Sequence, residues 1–221
     1  MRHGGQILVD QLVKLGVRRV FSVPGESFLA ALDGLYDAGI DNIVCRQEGG
    51  VAMMAEAYGK MTGQPGVAFV TRGPGATNAS AGVHIARQDS TPMVLFVGQV
   101  RRSDRDREGF QEVDYKAMFG GLAKWVAEVN QTERLPEYIA RAFNVAVTGR
   151  PGPVVLALPE DMLSARADVA DTPGPVVELA PTLQTVAEDT LHWLSGFERP
   201  MVVVGGSQWS AKAANDLAAF A

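Results

Sequence analysis

The chain has 221 residues, 47% of them hydrophobic and 20% charged, with a formal net charge of -5. That length can bury a full core, as one large domain or as one domain and part of a second. The acidic balance offers no basic face to a nucleic acid and no basic stripe to a membrane surface, and the lone Cys45 excludes an intrachain disulfide and a thiolate metal site, so a reducing cytoplasm is expected.

At the amino end, Ile7, Leu8, Leu12 and Leu15 fall at helical spacing with Asp10 and Lys14 between them. This is the pattern of an amphipathic globular helix and not of a signal peptide. Short apolar, β-branched runs follow at residues 20–23, 42–45, 67–71, 93–98, 154–158 and 201–204, most of them separated by stretches of helical periodicity. The alternation predicts an α/β fold with a doubly wound parallel sheet and helices on both faces. In "GVAFVT" and "PMVLFVGQ" the hydrophobicity is unbroken, as expected of strands covered on both sides. The longest apolar stretch, residues 92–98, is far too short to span a bilayer, so no membrane segment is expected. Residues 1–163 read as the first domain. Residues 164–181, "SARADVADTPGPVVELAP", lose periodicity and gather Pro, Gly and Asp, which reads as a linker. Residues 182–221 hold two helical segments and one strand; such a unit cannot bury its own apolar faces and reads as the incomplete start of a middle α/β domain.

In doubly wound sheets, ligands bind beyond the carboxyl ends of the strands. Those positions are Pro24-Gly25-Glu26, Arg46-Gln47-Glu48, Arg72-Gly73-Pro74-Gly75 and Gln99 onward. Glu48 opens a helical segment. A carboxylate in a first helical turn has a plain use, since it meets the macrodipole and stabilises by about 0.3–1 kcal/mol. Its company suggests more: Gly49, Gly50, Ala52, Ala55 and Ala57 make a helix that another group can approach closely. "TRGPGATNAS", residues 71–80, joins a strand to a helix, and its glycines and free N–H groups suit a ligand. It lacks the spacing and the lysine of a phosphate loop, and a Gly-Pro-Gly turn can equally be only a turn. His3, His84 and His192 are not spaced as metal ligands, and His84 reads as a structural histidine. Asp104, Asp106, Glu108 and Glu112 alternate with Arg101, Arg102, Arg105 and Arg107, the pattern of a solvated, self-neutralised loop, so no metal ligands are expected.

Five stretches occur in an order that resembles one family: "VFSVPGESFLAALDGL", "CRQEGGVAMMAEAYGKMTG", "VTRGPGATNASAGVHIARQDSTPMVLFVGQV", "GFQEVDYKAMFGGLAKWV" and "GRPGPVVLALPED". Residues 1–163 resemble the pyrimidine-binding domain of thiamine-diphosphate enzymes of the acetolactate synthase large-subunit type. The resemblance implies a 2-oxoacid decarboxylase or carboligase in which Glu48 hydrogen-bonds the cofactor's pyrimidine nitrogen. The resulting tautomer's imino group then takes the thiazolium C2 proton. Gly75 and Asn78, with Pro24 and Gly25, would line the pyrimidine pocket, Phe110 and Gln111 would stand beside the reacting carbon, and Lys124 would lie near the substrate entrance or be a surface lysine. Catalytic roles thus fall to Glu48 and Gln111. The resemblance further implies a homodimer or homotetramer, with the diphosphate and its Mg²⁺ held by a carboxyl-terminal domain of the partner subunit, and FAD as an optional guest of the middle domain. These 221 residues alone are then expected to be inactive. Three positions depart from the family pattern: Glu26-Ser27 replaces Gly-Ala, and Arg72 replaces a small serine, so a longer polar group is expected to narrow or charge the pocket. An adjacent His pair is missing, unlike the pyruvate-decarboxylase branch, and Glu48 stands where glyoxylate carboligase has an apolar residue. From the residues alone, a non-catalytic ligand or nucleotide binding module, or an assembly domain, on the same fold remains open.

Overall fold

In the computed structural model, residues 1–174, 183–206 and 209–221 are described. Six strands form one parallel sheet: β2 (Arg19–Ser22), β3 (Asp41–Val44), β4 (Gly66–Val70), β5 (Met93–Gln99), β6 (Trp125–Glu128) and β7 (Pro153–Pro159). Their spatial order is β3-β2-β4-β5-β7-β6. A two-residue strand β1 (Arg2–His3) pairs antiparallel with β8 (Arg166–Ala167). The helices are α1 (Gly4–Lys14), α2 (Leu29–Tyr36), α3 (Glu48–Thr62), α4 (Pro74–Gln88), α5 (Tyr115–Phe119), α6 (Leu135–Val147), α7 (Glu160–Ser164), α8 (Gln184–Leu194) and α9 (Ala211–Phe220). The expected doubly wound α/β sheet is therefore present, with β4, β5 and β7 buried along their whole lengths.

Unbroken hydrophobicity in those strands serves two cores, because successive side chains point to opposite faces. Val67, Phe69, Val94, Phe96, Val154 and Leu156 meet α1, α2 and α6 on one side. Ala68, Val70, Leu95, Val97, Val155 and Ala157 meet α3, α4 and α5 on the other. Three rings stack through the first core, Phe28 on Phe69 and Phe69 on Phe96, with centroids 5.9 and 4.7 Å apart.

The winding directions position the site. From β2 the chain leaves through α2 toward β3 at one edge, whereas from β4 it leaves through α4, on the other face, toward β5. Adjacent strands β2 and β4 therefore send their connections apart, opening a crevice at their carboxyl ends.

The structure adds to the sequence reading or departs from it at four places. β6 was not foreseen: it is a short edge strand whose Trp125, Val126 and Glu128 are only partly buried, so it carries no continuous apolar run. Residues 201–204 form no strand, since among the described residues no neighbouring strand pairs with them. The expected linker is partly anchored: Arg166–Ala167 pair with β1, Arg2 bonds Asp171, and Gln11 exchanges two hydrogen bonds with the Thr172 backbone. Loss of periodicity marks the absence of a helix, and says nothing of such ties. The rest of that stretch, residues 175–182, lies outside the described residues. The small residues of α3 also have a structural use, because Ala52 and Ala55 are buried, Ala52 against Gly82 of α4 and Ala55 against Gly66 of β4. None of the described residues from 183 onward is buried.

Candidate active site

Glu48 is the first residue of α3, directly beyond the carboxyl end of β3. Gln47 caps the helix, its side-chain oxygen accepting from the Gly50 N–H at 3.0 Å, so the backbone does not need Glu48 as its cap. The half-buried carboxylate is instead held from α4: Asn78 Nδ2 donates to Glu48 Oε2 at 2.9 Å. Its other oxygen, Oε1, lies 3.5 Å from where a Gly75 Cβ would stand, and that Cβ would also come within 2.8 Å of Thr71 Cγ2. A side chain at 75 would thus fill the space beside the acceptor. An acceptor oxygen with clearance at its flank suits a flat ring bearing a protonated nitrogen, and the residues present fit the pyrimidine of thiamine diphosphate.

Gly73, with φ of +57°, makes the sharp turn that Pro74 follows at the first helical position of α4. Its N–H donates to the Tyr115 phenol oxygen at 2.8 Å. Gly25, beyond β2, has no side chain because a Cβ there would stand 2.5 Å from Thr71 Cβ, so the ends of β2 and β4 close on one another. Ser27 Oγ lies 2.9 Å from Thr71 Oγ1 and stitches the same two loops together. Pro24, just ahead of Gly25, is exposed at the mouth of this crevice.

Gln111 reaches the glycine turn from the loop after β5. A Cβ on Gly73 would stand 2.7 Å from Gln111 Cβ, and Gln111 itself is left-handed with φ of +64°. Its neighbour Phe110 is 73% exposed. The structure thus gathers Gly25, Glu48, Gly75, Asn78 and Gln111 around β2, β3 and β4, with Pro24 and Phe110 at the rim. Lys124 is not among them. It precedes β6, at the amino end of the sheet, and its Nζ donates to the carbonyls of Val145 and Thr148 at the end of α6. There it serves the carbonyl end of a helix, and burial pushes its pKa down. Within this chain it does not face the crevice.

Arg72 also departs from expectation, because its charge is neutralised rather than presented to the crevice. Only 8% exposed, it donates to Glu26 at 2.8 Å, Glu160 at 3.2 Å and the Phe110 carbonyl at 3.1 Å. Glu112 is not merely solvated. It accepts from the N–H groups of Asp106 and Gly109 and from Arg105, and the Asp106 N–H, with these partners, holds its carboxyl below the usual range. His84 is exposed on α4, so it is not a buried structural histidine. Tyr115 carried no local motif; only its partner 42 residues away reveals it. Among the described residues, no group of three or more His, Cys, Asp or Glu is placed to hold a metal ion, and no helix is long and apolar enough to cross a membrane.

Burial pushes the Tyr115 phenol up to about 12 from its ordinary 10.0. The neutral phenol is thus favoured by the fold, a contribution complete below pH about 10 and lost as pH rises through about 12. Tyr115→Phe leaves the Gly73 N–H without a partner, so stability should fall by about 1–3 kcal/mol at neutral pH. The decline of stability between pH about 10 and 12 should also flatten. Urea titrations of both proteins across that pH range check this.

Comparison with known proteins agrees with the geometry. Residues 2–118 match the family described as thiamine pyrophosphate enzyme, N-terminal TPP binding domain. Across 218 residues the chain is 37% identical to the acetolactate synthase isozyme 2 large subunit of Escherichia coli K12, covering 99% of this chain and 40% of that protein. It is 35% identical over 207 residues to the acetolactate synthase of Bacillus subtilis 168, covering 92% of this chain and 36% of the other. With the mitochondrial acetolactate synthase catalytic subunit of Aspergillus candidus it shares 41% identity over 162 residues, 73% of this chain and 23% of that one. The chain therefore spans two fifths or less of the length of these relatives. A glycine-flanked carboxylate beyond β3, held beside the turn that follows β4, and a family match across that segment lead to one conclusion: the chain belongs to the thiamine pyrophosphate enzymes, through their N-terminal cofactor-binding domain.

Proposed function

We propose that this chain is the pyrimidine-binding part of a thiamine-diphosphate-dependent 2-oxoacid decarboxylase or carboligase of the acetolactate synthase type, acting on a small 2-oxoacid. The observation that carries the reading is the Glu48 carboxylate, anchored by Asn78 on one oxygen and cleared by Gly75 beside the other. A plain binding module has no use for a carboxylate kept so.

When bound, thiamine diphosphate would supply a carbon acid whose deprotonated form is the nucleophile toward the 2-oxoacid, and a ring that takes up the electrons of decarboxylation. Glu48 holds a proton against the pyrimidine nitrogen from Oε1, while Asn78 keeps Oε2 occupied and the carboxylate in one orientation. Gly75 leaves the ring room beside Glu48, and Gly25 lets Thr71 close against the loop after β2. Gln111, beside the glycine turn, orients the substrate, with Phe110 shielding the same side from water.

The other half of the site belongs to a second subunit in this reading. Tyr36, Ile43, Val44, Met53, Met54 and Met61 are exposed on β3, α3 and the neighbouring end of α2, and such an apolar face supports a homodimer or homotetramer. Mg²⁺ and the diphosphate would be held by a carboxyl-terminal domain of that subunit, FAD remains an optional guest of a middle domain beginning at 182, and residues 1–221 alone would be inactive. The single cysteine supports a cytoplasmic setting.

The test is turnover of a 2-oxoacid by the full-length protein with thiamine diphosphate and Mg²⁺. Gln111→Ala should alter the ratio of released aldehyde to ligated product by about tenfold, the scale of one positioned hydrogen bond to substrate, and leave cofactor affinity unchanged. A shift in cofactor affinity at constant product ratio would remove Gln111 from the substrate side.

A further inference from the structure

Arg72 and Gly73 are consecutive, yet each grips a different end of one distant segment. Arg72 Nε donates to the Phe110 carbonyl, and the Gly73 N–H donates to the Tyr115 phenol. The segment between them, residues 110–115, carries Gln111 and is laid onto Gly73 with a Cβ clearance that only glycine permits. We propose that Arg72 is a positioning residue: clamped by Glu26 and Glu160, it fixes where the Phe110–Gln111 turn stands over the glycine turn, and so tunes the partition between released and ligated product. This rests on the substrate-side reading of Gln111 given above.

Three features favour positioning over direct substrate binding. The guanidinium is already engaged: each of Nε, Nη1 and Nη2 has an acceptor, and little of the side chain is exposed. Two carboxylates already balance its charge, so a substrate carboxylate would compete with both. The charges also close on themselves, because Glu160 is shared with Arg101 at 2.8 Å, giving two guanidinium groups and two carboxylates across the loops after β2, β4, β5 and β7. Finally, the loop it holds is strained. Asp106, Glu108 and Gln111 are all left-handed although none is glycine, a conformation that persists only where surrounding contacts impose it. Glu112 ties the loop internally, and Arg72 ties its Phe110 end to the β4 turn, as Gly73 does at Tyr115. The guanidinium spreads its donors over three nitrogens and so reaches acceptors that stand apart, whereas an ammonium donates from one nitrogen.

Hydrogen exchange gives a readout independent of catalysis. In Arg72→Met, exchange of the Gly109 and Glu112 amides should speed by at least tenfold while the β5 amides keep their protection; unchanged loop exchange would overturn the proposal. If Arg72→Met exposes the β5 amides as well, Arg72→Lys takes its place, with the same loop-confined acceleration expected and its absence decisive against. In the full-length enzyme with thiamine diphosphate and Mg²⁺, Arg72→Met should move the product ratio in the same direction as Gln111→Ala, and the double variant should go no further than the larger single effect. Single effects that multiply would mean that Arg72 acts independently of Gln111, and would overturn its positioning role. Should Gln111→Ala leave the ratio untouched, the reading of Gln111 fails, and loop exchange alone decides whether Arg72 is the tether.

Discussion

Glu48→Gln in the full-length enzyme is expected to lower turnover by roughly 10²–10⁴, the range for a positioned acid or base. Glutamine keeps the size and can still accept from Asn78, but it cannot hold the proton that the pyrimidine nitrogen requires. The size of the effect separates the two roles of this carboxylate. As a charge at a helix N-terminus Glu48 contributes about 0.3–1 kcal/mol, whereas the expected loss corresponds to about 2.7–5.4 kcal/mol of barrier. The Gln47 cap remains in the variant, so its melting temperature should fall by no more than about 2–4 °C. Steady-state kinetics beside a melting curve distinguishes a lost proton relay from a lost cap.

The largest stability effect is expected at Phe69. This ring is fully buried in β4, stacked between Phe28 and Phe96, and its strand leads directly into the turn that carries Thr71, Arg72 and Gly73. Phe69→Ala removes the middle ring of the ladder and should cost about 3–5 kcal/mol, lowering the melting temperature by roughly 6–20 °C. Exposed Phe110 provides the contrast, because its truncation should change stability by about 0.5 kcal/mol or less. Equal melting temperatures for wild type and Phe69→Ala would mean that the stacked rings do not hold the β4 turn in place.

What could be read in the sequence was what repeats locally. Continuous apolar runs such as residues 67–71 and 93–98 announce strands covered on both faces, and the two cores around β4 and β5 bear that out. Glu48 and Gly75 stood out as candidates because each lies just beyond a strand, where a parallel sheet puts its ligands, whereas Asn78 entered only through the family resemblance. The edge strand β6 was not legible, since its half-exposed residues carry no such run, and β1 and β8 are too short to have a period at all. Nor were the ties around the glycine turn. Arg72 meets Glu26 across 46 residues and Glu160 across 88, and Gly73 meets Tyr115 across 42. No local pattern records a partner at that distance. An arginine beside a glycine turn reads as a charge offered to a ligand until both carboxylates are seen on it, and Lys124 reads as a site residue until its carbonyl partners are seen at the far end of the sheet.

Proton exchange at C2 of bound thiamine diphosphate isolates the role given to Glu48, since it requires no substrate and no later chemical step. With the full-length protein saturated in thiamine diphosphate and Mg²⁺ and transferred to deuterium oxide, quenched samples read by NMR give the C2 exchange rate. Glu48→Gln should slow that rate by roughly 10²–10⁴ while the cofactor stays bound; equal exchange rates in the two proteins would contradict the assignment of Glu48 as the cofactor's proton relay.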